Sequence, residues 1–107
     1  MIQVTYHKRY NRVTVVGHAG SGPEGHDLVC ASVSTLALTI AGNVAYLEAQ
    51  EAVRNVTTVL EEGNAEIQCT PYRRYKDSVE LIYSAICAGF EFLATKYPEN
   101  ISYEIIG

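Results

Sequence analysis

The chain lacks the sequence features that define several classes of protein. Its 107 residues include no tryptophan, one methionine and three cysteines, and no two cysteines form a C-x-x-C pair. An odd number of widely spaced cysteines excludes the disulfide framework of a small secreted domain and the paired spacing of a zinc ribbon. The first residues carry no apolar stretch followed by a small-residue cleavage site, so we expect no secretory signal and a cytoplasmic location.

No segment is uniformly apolar over the length of a membrane span. The longest nearly uncharged run, residues 28–47, is interrupted by five hydroxyl or amide side chains, which favours a buried helix over a transmembrane one. The composition is 48% apolar and 19% charged, with a net charge of −4. A chain of this length can bury a core of its own but is too short for two domains, so residues 1–107 are predicted to form a single domain.

The pattern of apolar residues predicts the order β-β-α-β-β-α-β. Alternating apolar residues indicate a hairpin over residues 2–15 and further strands at 54–60, 65–70 and 101–106. The first helix is predicted to follow Asp27 as N-cap, and the second to begin with a capping box, Asp77-x-x-Glu80, and to end before Pro98. This order predicts an α+β fold with two layers, in which both helices cover one face of a mixed sheet.

Glycine is concentrated between the second strand and the first helix. Half of the eight glycines of the chain lie here, namely Gly17, Gly20, Gly22 and Gly25. Ordering such a segment costs about 1–2 kcal/mol of backbone entropy per residue. We therefore expect the segment from Ala19 to Gly25, which contains Gly20, Ser21, Gly22 and Gly25, to be mobile.

A cysteine and a histidine flank this glycine-rich segment and suggest nucleophilic chemistry. With Asp27 as N-cap, Cys30 falls in the first helical turn, where unpaired amides and the helix dipole favour a thiolate and an oxyanion. His18 lies at the other end of the segment and could serve as general acid and base. Cys69 and Cys87 stand in apolar patterns and are predicted to be core residues.

Two other interpretations of the segment are weaker. His18, His26 and Cys30 could contribute to a zinc site, but the segment offers no clear fourth ligand. A phosphate-binding loop would end in Lys-Ser/Thr, whereas this one carries Glu24 and Asp27, which would repel a phosphate. We predict neither a metal nor another cofactor.

The segment also resembles a known family signature. Gly17-His18-Ala19, a glycine-bearing spacer and the run from Asp27 to Ser34 (Asp-Leu-Val-Cys-Ala-Ser-Val-Ser) resemble the signature of the ribosomal-processing cysteine proteases, the Prp family. The resemblance implies that Cys30 is the nucleophile and His18 the general acid/base. It further implies that Asp27 is the family aspartate, which caps the helix or orients the site, and that Gly17, Ala19 and Ser34 line the site.

The resemblance has implications for substrate and assembly as well. Members of the family remove a short N-terminal extension from a large-subunit ribosomal protein, cleave after aromatic residues, and form homodimers. Many relatives carry an aromatic residue where this chain has Ser21, a difference that bears on substrate preference more than on the reaction. A prophage-type relative that processes a capsid-related protein would share the same motif and stays an alternative.

Two basic clusters leave a function of another class open. Six of the eight lysines and arginines lie in residues 8–12 and 73–76, where tyrosines stand among them. Such a composition suits phosphate contacts and base stacking in a ribosome- or RNA-associated domain without catalysis. Solvated turns account for the clusters more simply, so from the sequence we expect no membrane contact and no direct binding of nucleic acid.

Overall fold

The fold is one five-stranded sheet with two helices. The structure is a computed structural model; it describes residues 1–17 and 26–107, except for the side chains of residues 26 and 27. The strands are β1 (Ile2–His7), β2 (Arg12–Val16), β3 (Val53–Glu61), β4 (Asn64–Pro71) and β5 (Ile101–Ile106). The helices are α1 (His26–Ala49) and α2 (Lys76–Lys96), and short 3₁₀ turns occupy Lys8–Tyr10 and Arg73–Tyr75. The element order and the α+β class predicted from the sequence are confirmed.

The sheet is mixed, with the strand order β3-β4-β2-β1-β5. β1 and β5 run parallel, with Ile2 opposite Ile101, and the other three pairs are antiparallel. The ends of β2 and β3 and the starts of β1, β4 and β5 therefore meet at one end of the sheet. The strands' opposite termini meet at the other end, together with both 3₁₀ turns.

One face of the sheet forms the core with the two helices. Alternate strand residues are buried in register, since Val4 pairs with Val15 and Val15 with Ala65. The helices contribute apolar stripes to this core. The buried helical residues are Val29, Val33, Ala37, Ile40, Val44, Val79, Tyr83, Cys87, Phe90 and Leu93.

The helices approach each other closely where α2 has a glycine. A Cβ built on Gly89 would lie 2.8 Å from a methyl carbon of Leu36, so the small residue allows this side chain to pack across the helix pair. By length and hydropathy alone, Leu28–Ala49 and Arg73–Lys96 would suffice to cross a membrane, a criterion that core helices also meet. Each of them here buries a stripe of side chains in the core.

The starts of both helices differ from the prediction. α1 begins at His26, so Asp27 is its second residue and not its N-cap. α2 begins at Lys76 after the 3₁₀ turn, with Tyr75 as N-cap and no side-chain cap, so Asp77 lies in the first turn and forms no capping box. The preceding turn already bends the chain into the helix, because the Tyr75 amide bonds to the Tyr72 carbonyl at 2.8 Å.

Candidate active site

Cys30 lies where α1 begins, at the end of the sheet where β2 and β3 finish. It is the fifth residue of the helix and its side chain is partly exposed, whereas its neighbour Val29 is fully buried in the core. Because side chains of a helix tilt toward its N-terminus, the Cys30 thiol leans toward the first turn and its unpaired amides. This position suits a nucleophile that must be reached from solvent.

A cavity of about 520 Å³ opens beside Cys30. Its volume lies in the range of pockets that bind small ligands or single side chains. The helical side of the cavity is formed by Cys30, Val33, Ser34, Ala37 and Leu38. The sheet side is formed by the ends of the strands and by the β3–β4 turn, with Ile2, Val15, Gly17, Leu60, Glu61, Glu62, Gly63, Asn64 and Ala65.

Gly17 fixes the point at which the chain leaves β2 for the glycine-rich segment. Its φ is +114°, and a Cβ at this position would collide with the carbonyl oxygen of Met1. Its amide donates to the carbonyl of Gly63 at 3.0 Å, which joins the end of β2 to the β3–β4 turn. A residue with a side chain would disturb both arrangements, so the wall of the cavity depends on this glycine.

Comparisons with known proteins identify the family. The family described as cysteine protease Prp matches residues 1–102. The chain belongs to this family. No curated protein matches it.

Solved structures agree with the Prp assignment in fold. SMU.848 from Streptococcus mutans is 32% identical, with a TM-score of 0.69 over 99% of this chain and 94% of that protein. The ribosomal processing protease Prp from S. aureus, in complex with a substrate peptide, is 22% identical, with a TM-score of 0.66 over 97% of this chain and 96% of that one. The same S. aureus protease in complex with a covalently linked product peptide is 23% identical, with a TM-score of 0.65 over the same shares. The present chain is therefore a cysteine protease with the Prp fold.

The structure places some of the predicted site residues of this Prp protease and leaves others undescribed. Gly17, Cys30 and Ser34 line one cavity, although Gly17 is distant in sequence from the other two. His18, Ala19 and the segment predicted to be mobile, with Gly20, Ser21, Gly22 and Gly25, lie outside the described residues, as does the side chain of Asp27. Among the described residues, no group of three or more His, Cys, Asp or Glu side chains could hold a metal.

The β3–β4 turn is the part of the site that sequence reasoning did not find. The pattern around Glu62-Gly63-Asn64 predicts a turn and gives no indication of a functional role. The turn reaches the cavity because β4 pairs with β2, which brings Asn64 opposite Val16. Glu61 and Glu62 thereby stand near Cys30 as exposed carboxylates.

The other two cysteines of the protease are core residues, as predicted. Cys69 on β4 and Cys87 on α2 are each 1% exposed. Burial raises the pKa of Cys69, and it raises the pKa of Cys87 to about 11. Both thiols are therefore kept protonated and shielded, whereas Cys30 is partly exposed to solvent.

Proposed function

We propose that this protease removes a short N-terminal extension from a large-subunit ribosomal protein by cleaving after an aromatic residue, with Cys30 as nucleophile and His18 as general acid/base. The position of Cys30 on the wall of a cavity, just after the first turn of α1, is the observation that supports the proposal most directly. His18 directly follows Gly17, which lines the same cavity. The motif shared with the Prp family supports the assignment of both residues.

The reaction is an acyl transfer through a thioester. The Cys30 sulfur attacks the scissile carbonyl carbon, and the thiol proton passes to the imidazole of His18. Amides of the first turn of α1 stabilise the negative oxygen of the tetrahedral intermediate. The C–N bond then breaks, and His18 returns the proton to the leaving amine. Water attacks the thioester in the same way, which releases the carboxylate product and restores the thiol.

Asp27 is the candidate for a third residue in this reaction. It lies one residue into α1 and three residues before Cys30. A carboxylate in the first turn stabilises the helix through its dipole, and one near His18 would favour the imidazolium formed during attack. We assign Asp27 this positioning role, and His18 with Cys30 the chemistry.

The lining of the cavity suits an aromatic substrate side chain. Val33, Ala37, Leu38 and Leu60 present apolar surface within reach of Cys30. An aromatic ring buries about 150–250 Å² and gains most from such a lining. A ring in this cavity would place the following peptide bond beside the thiol, which supports cleavage after an aromatic residue.

The nucleophile is tested by cleavage of a peptide that copies an aromatic-ended extension. We expect Cys30→Ala and His18→Ala each to abolish cleavage while the thermal unfolding curve stays close to that of the parent. Cys87→Ala serves as the control: it should lower the unfolding temperature and retain cleavage at temperatures where it is folded. Turnover by Cys30→Ala would refute the assignment of the nucleophile.

The substrate class is tested separately with full-length proteins. The ribosomal protein with its aromatic-ended extension should be cut once, and mass spectrometry should place the cut after the aromatic residue. A matched substrate with alanine at this position should be cut at least ten-fold more slowly. Preferential cleavage of a capsid-related protein from a prophage would favour the alternative substrate.

We further propose that the protease acts in the cytoplasm as a homodimer joined through its helical layer. Large apolar side chains stand exposed on both helices: Tyr46 is 64% exposed, Leu81 69% and Phe92 64%. A second copy of the chain would remove these side chains from water, because its identical face is equally apolar.

Sedimentation equilibrium of the Cys30→Ala protein tests this assembly. We expect a dimer, and Phe92→Asp should shift the equilibrium toward monomer. Ile106→Asp, which places the same charge on an exposed apolar residue of β5, should leave the dimer intact. A monomer at all concentrations of the parent would contradict the proposal.

A further inference from the structure

The two basic clusters, more than sixty residues apart in sequence, meet at one end of the molecule. The 3₁₀ turn Lys8–Tyr10 follows β1, and the 3₁₀ turn Arg73–Tyr75 follows β4, at the same end of the sheet. Lys8, Arg9 and Lys76 line a common cavity of about 500 Å³ together with Asn11, Glu80 and Gly107. From the sequence alone, the two clusters are interpreted as separate solvated turns. The structure changes this interpretation because it places both clusters at the same end of the sheet.

The distribution of charge along the sheet is strongly uneven. Seven of the eight lysines and arginines of the chain stand at this end, and Lys96, at the far end of α2, is the exception. Cys30 and its cavity lie at the opposite end, where Glu61 and Glu62 are exposed. A partner attracted by the cations would therefore leave the entrance to the active site free.

Ion pairs neutralise only part of the basic end. Lys8 pairs with Glu80 at 3.5 Å, and Arg12 pairs with Glu66 at 3.2 Å. The carboxylates of Asp77 on α2, Glu48 on α1 and Glu51 in the connection after α1 lie toward the same end but form no ion pair among the described residues. The cations without an ion pair are the exposed side chains of Arg9, Arg54, Arg73, Arg74 and Lys76.

Aromatic rings stand among these cations. Tyr10 is 57% exposed and Tyr72 43%, so solvent reaches both rings. The guanidinium of Arg54 lies 5.2 Å from the centre of the Tyr72 ring, and that of Arg74 lies 5.5 Å from the centre of the Tyr75 ring. This contact holds each guanidinium over a ring face and leaves its N–H groups available to a phosphate.

We infer that this surface, the basic patch of Arg9, Arg73, Arg74, Lys76, Tyr10 and Tyr72, binds single-stranded RNA. The cations contact successive phosphates, and the exposed rings stack on unpaired bases. An acidic protein or an anionic membrane would satisfy the charges but would make no use of the rings. The inference goes beyond the proposed protease reaction and does not depend on it.

The binding is tested with the full chain carrying Cys30→Ala and a fluorescent single-stranded RNA of about twelve nucleotides, within the usual range of site sizes. Anisotropy titrations over a series of salt concentrations give the affinity and its salt slope. Each phosphate contact contributes about 0.7 to the slope on a single strand. We expect Lys76→Gln and Arg9→Gln each to reduce the slope by about this amount.

Matched variants separate a specific patch from a general effect of charge. Lys96→Gln removes the same charge at the other end of the molecule and should leave the slope unchanged. Tyr10→Leu should weaken binding about five-fold or more, whereas Tyr10→Phe, which keeps the ring, should retain it. Peptide cleavage by each of these variants in the Cys30 background should equal that of the parent, so the result is independent of the protease assignment.

Several results would overturn the inference. These are the absence of RNA binding at low salt, an equal effect of Lys96→Gln and Lys76→Gln, and loss of binding in Tyr10→Phe. Affinity for polyglutamate or for anionic lipid vesicles that matches the affinity for RNA would likewise overturn it, because the patch would then recognise negative charge alone.

Discussion

At the scale of single residues, the environment of each cysteine decides its chemistry. Cys30 is partly exposed to solvent, whereas Cys69 and Cys87 are buried. The buried pair lies among tyrosines: the Tyr83 hydroxyl is 3.7 Å from the Cys69 sulfur, and the Tyr83 ring stacks on Tyr6 at 6.0 Å. Thiols in such surroundings are protected from both solvent and ionisation, so they contribute packing and not reactivity.

A thiol alkylator should therefore modify Cys30 first in the folded protein. We expect Cys69 and Cys87 to react only as fast as the protein unfolds, because burial excludes the reagent and raises the pKa of both thiols. Peptide mapping by mass spectrometry at increasing times measures all three rates. Modification of a buried cysteine as early as that of Cys30, with native circular dichroism retained, would contradict this view of the site.

The backbone at position 17 requires a glycine, and the surrounding sequence does not indicate this requirement. Gly17→Ala should destabilise the protein by about 2 kcal/mol or more, because the residue has positive φ and its new Cβ would displace the carbonyl of Met1. Cleavage should fall too, since Gly17 lines the cavity. Chemical denaturation gives the first quantity, and an unchanged midpoint would show that the β2 terminus tolerates a side chain.

At the scale of secondary structure elements, periodicity predicted what the helices and strands bury. The three- and four-residue steps of the sequence predict one apolar stripe on α1, namely Val29, Val33, Leu36, Ile40, Val44 and Leu47. Leu36 and Leu47 are partly buried, and the other four are buried. The predicted caps were wrong. The 3₁₀ turn before α2 forms through backbone hydrogen bonds, and a side-chain motif such as Asp77-x-x-Glu80 carries no information about it.

Gly42 and Gly89 both lie within helices, so replacing each by alanine compares an open helix surface with a crowded helix contact. Gly42→Ala should stabilise the protein by up to about 1 kcal/mol, because a Cβ there meets nothing within 4 Å and alanine is the better helix former. Gly89→Ala should destabilise it by about 1 kcal/mol, since the crowding of Leu36 costs more than the helix gains. Thermal unfolding measures both; a gain at Gly89 would mean that Leu36 repacks freely.

At the scale of the whole molecule, the buried thiol links stability to alkaline pH. The pKa of Cys87 is raised from its ordinary value near 9 to about 11, so the folded protein keeps a proton that the unfolded chain releases. The stability associated with this group is complete below pH 9 and is lost as the pH rises toward 11. The loss should be on the order of 2 kcal/mol.

The comparison of the parent with Cys87→Ala isolates this effect. The variant is less stable at neutral pH because it has lost packing, but its stability should fall less steeply between pH 9 and 11. Burial raises the pKa values of Tyr83 and Tyr103 in both proteins, and Cys87 raises them further in the parent, so the difference in slope measures Cys87 together with its effect on these two hydroxyls. Denaturant titrations at several pH values give the two slopes, and parallel slopes would exclude a role of Cys87.

The site as a whole could be predicted only in part. Cys30 and Ser34 lie on one helical face, one turn apart, so the sequence suffices to place them together. The approach of Leu60 and Glu62 to this cysteine depends on the order of strands in the sheet, which local patterns do not encode. The convergence of residues 8–12 with residues 73–76 depends on the same pairing of β2 with β4.

The parallel pairing of β1 with β5 affects when the enzyme can fold during its synthesis on the ribosome. β1 is synthesised long before β5, its partner in the sheet. The Ile2 amide donates a hydrogen bond to the carbonyl of Asn100, and Ile2 lies opposite Ile101. Contacts between such distant positions close late and slow folding. The β1–β5 pair can form only after residue 106 has left the exit tunnel, so the protease matures after translation of this segment and cannot cleave a neighbouring nascent chain before then.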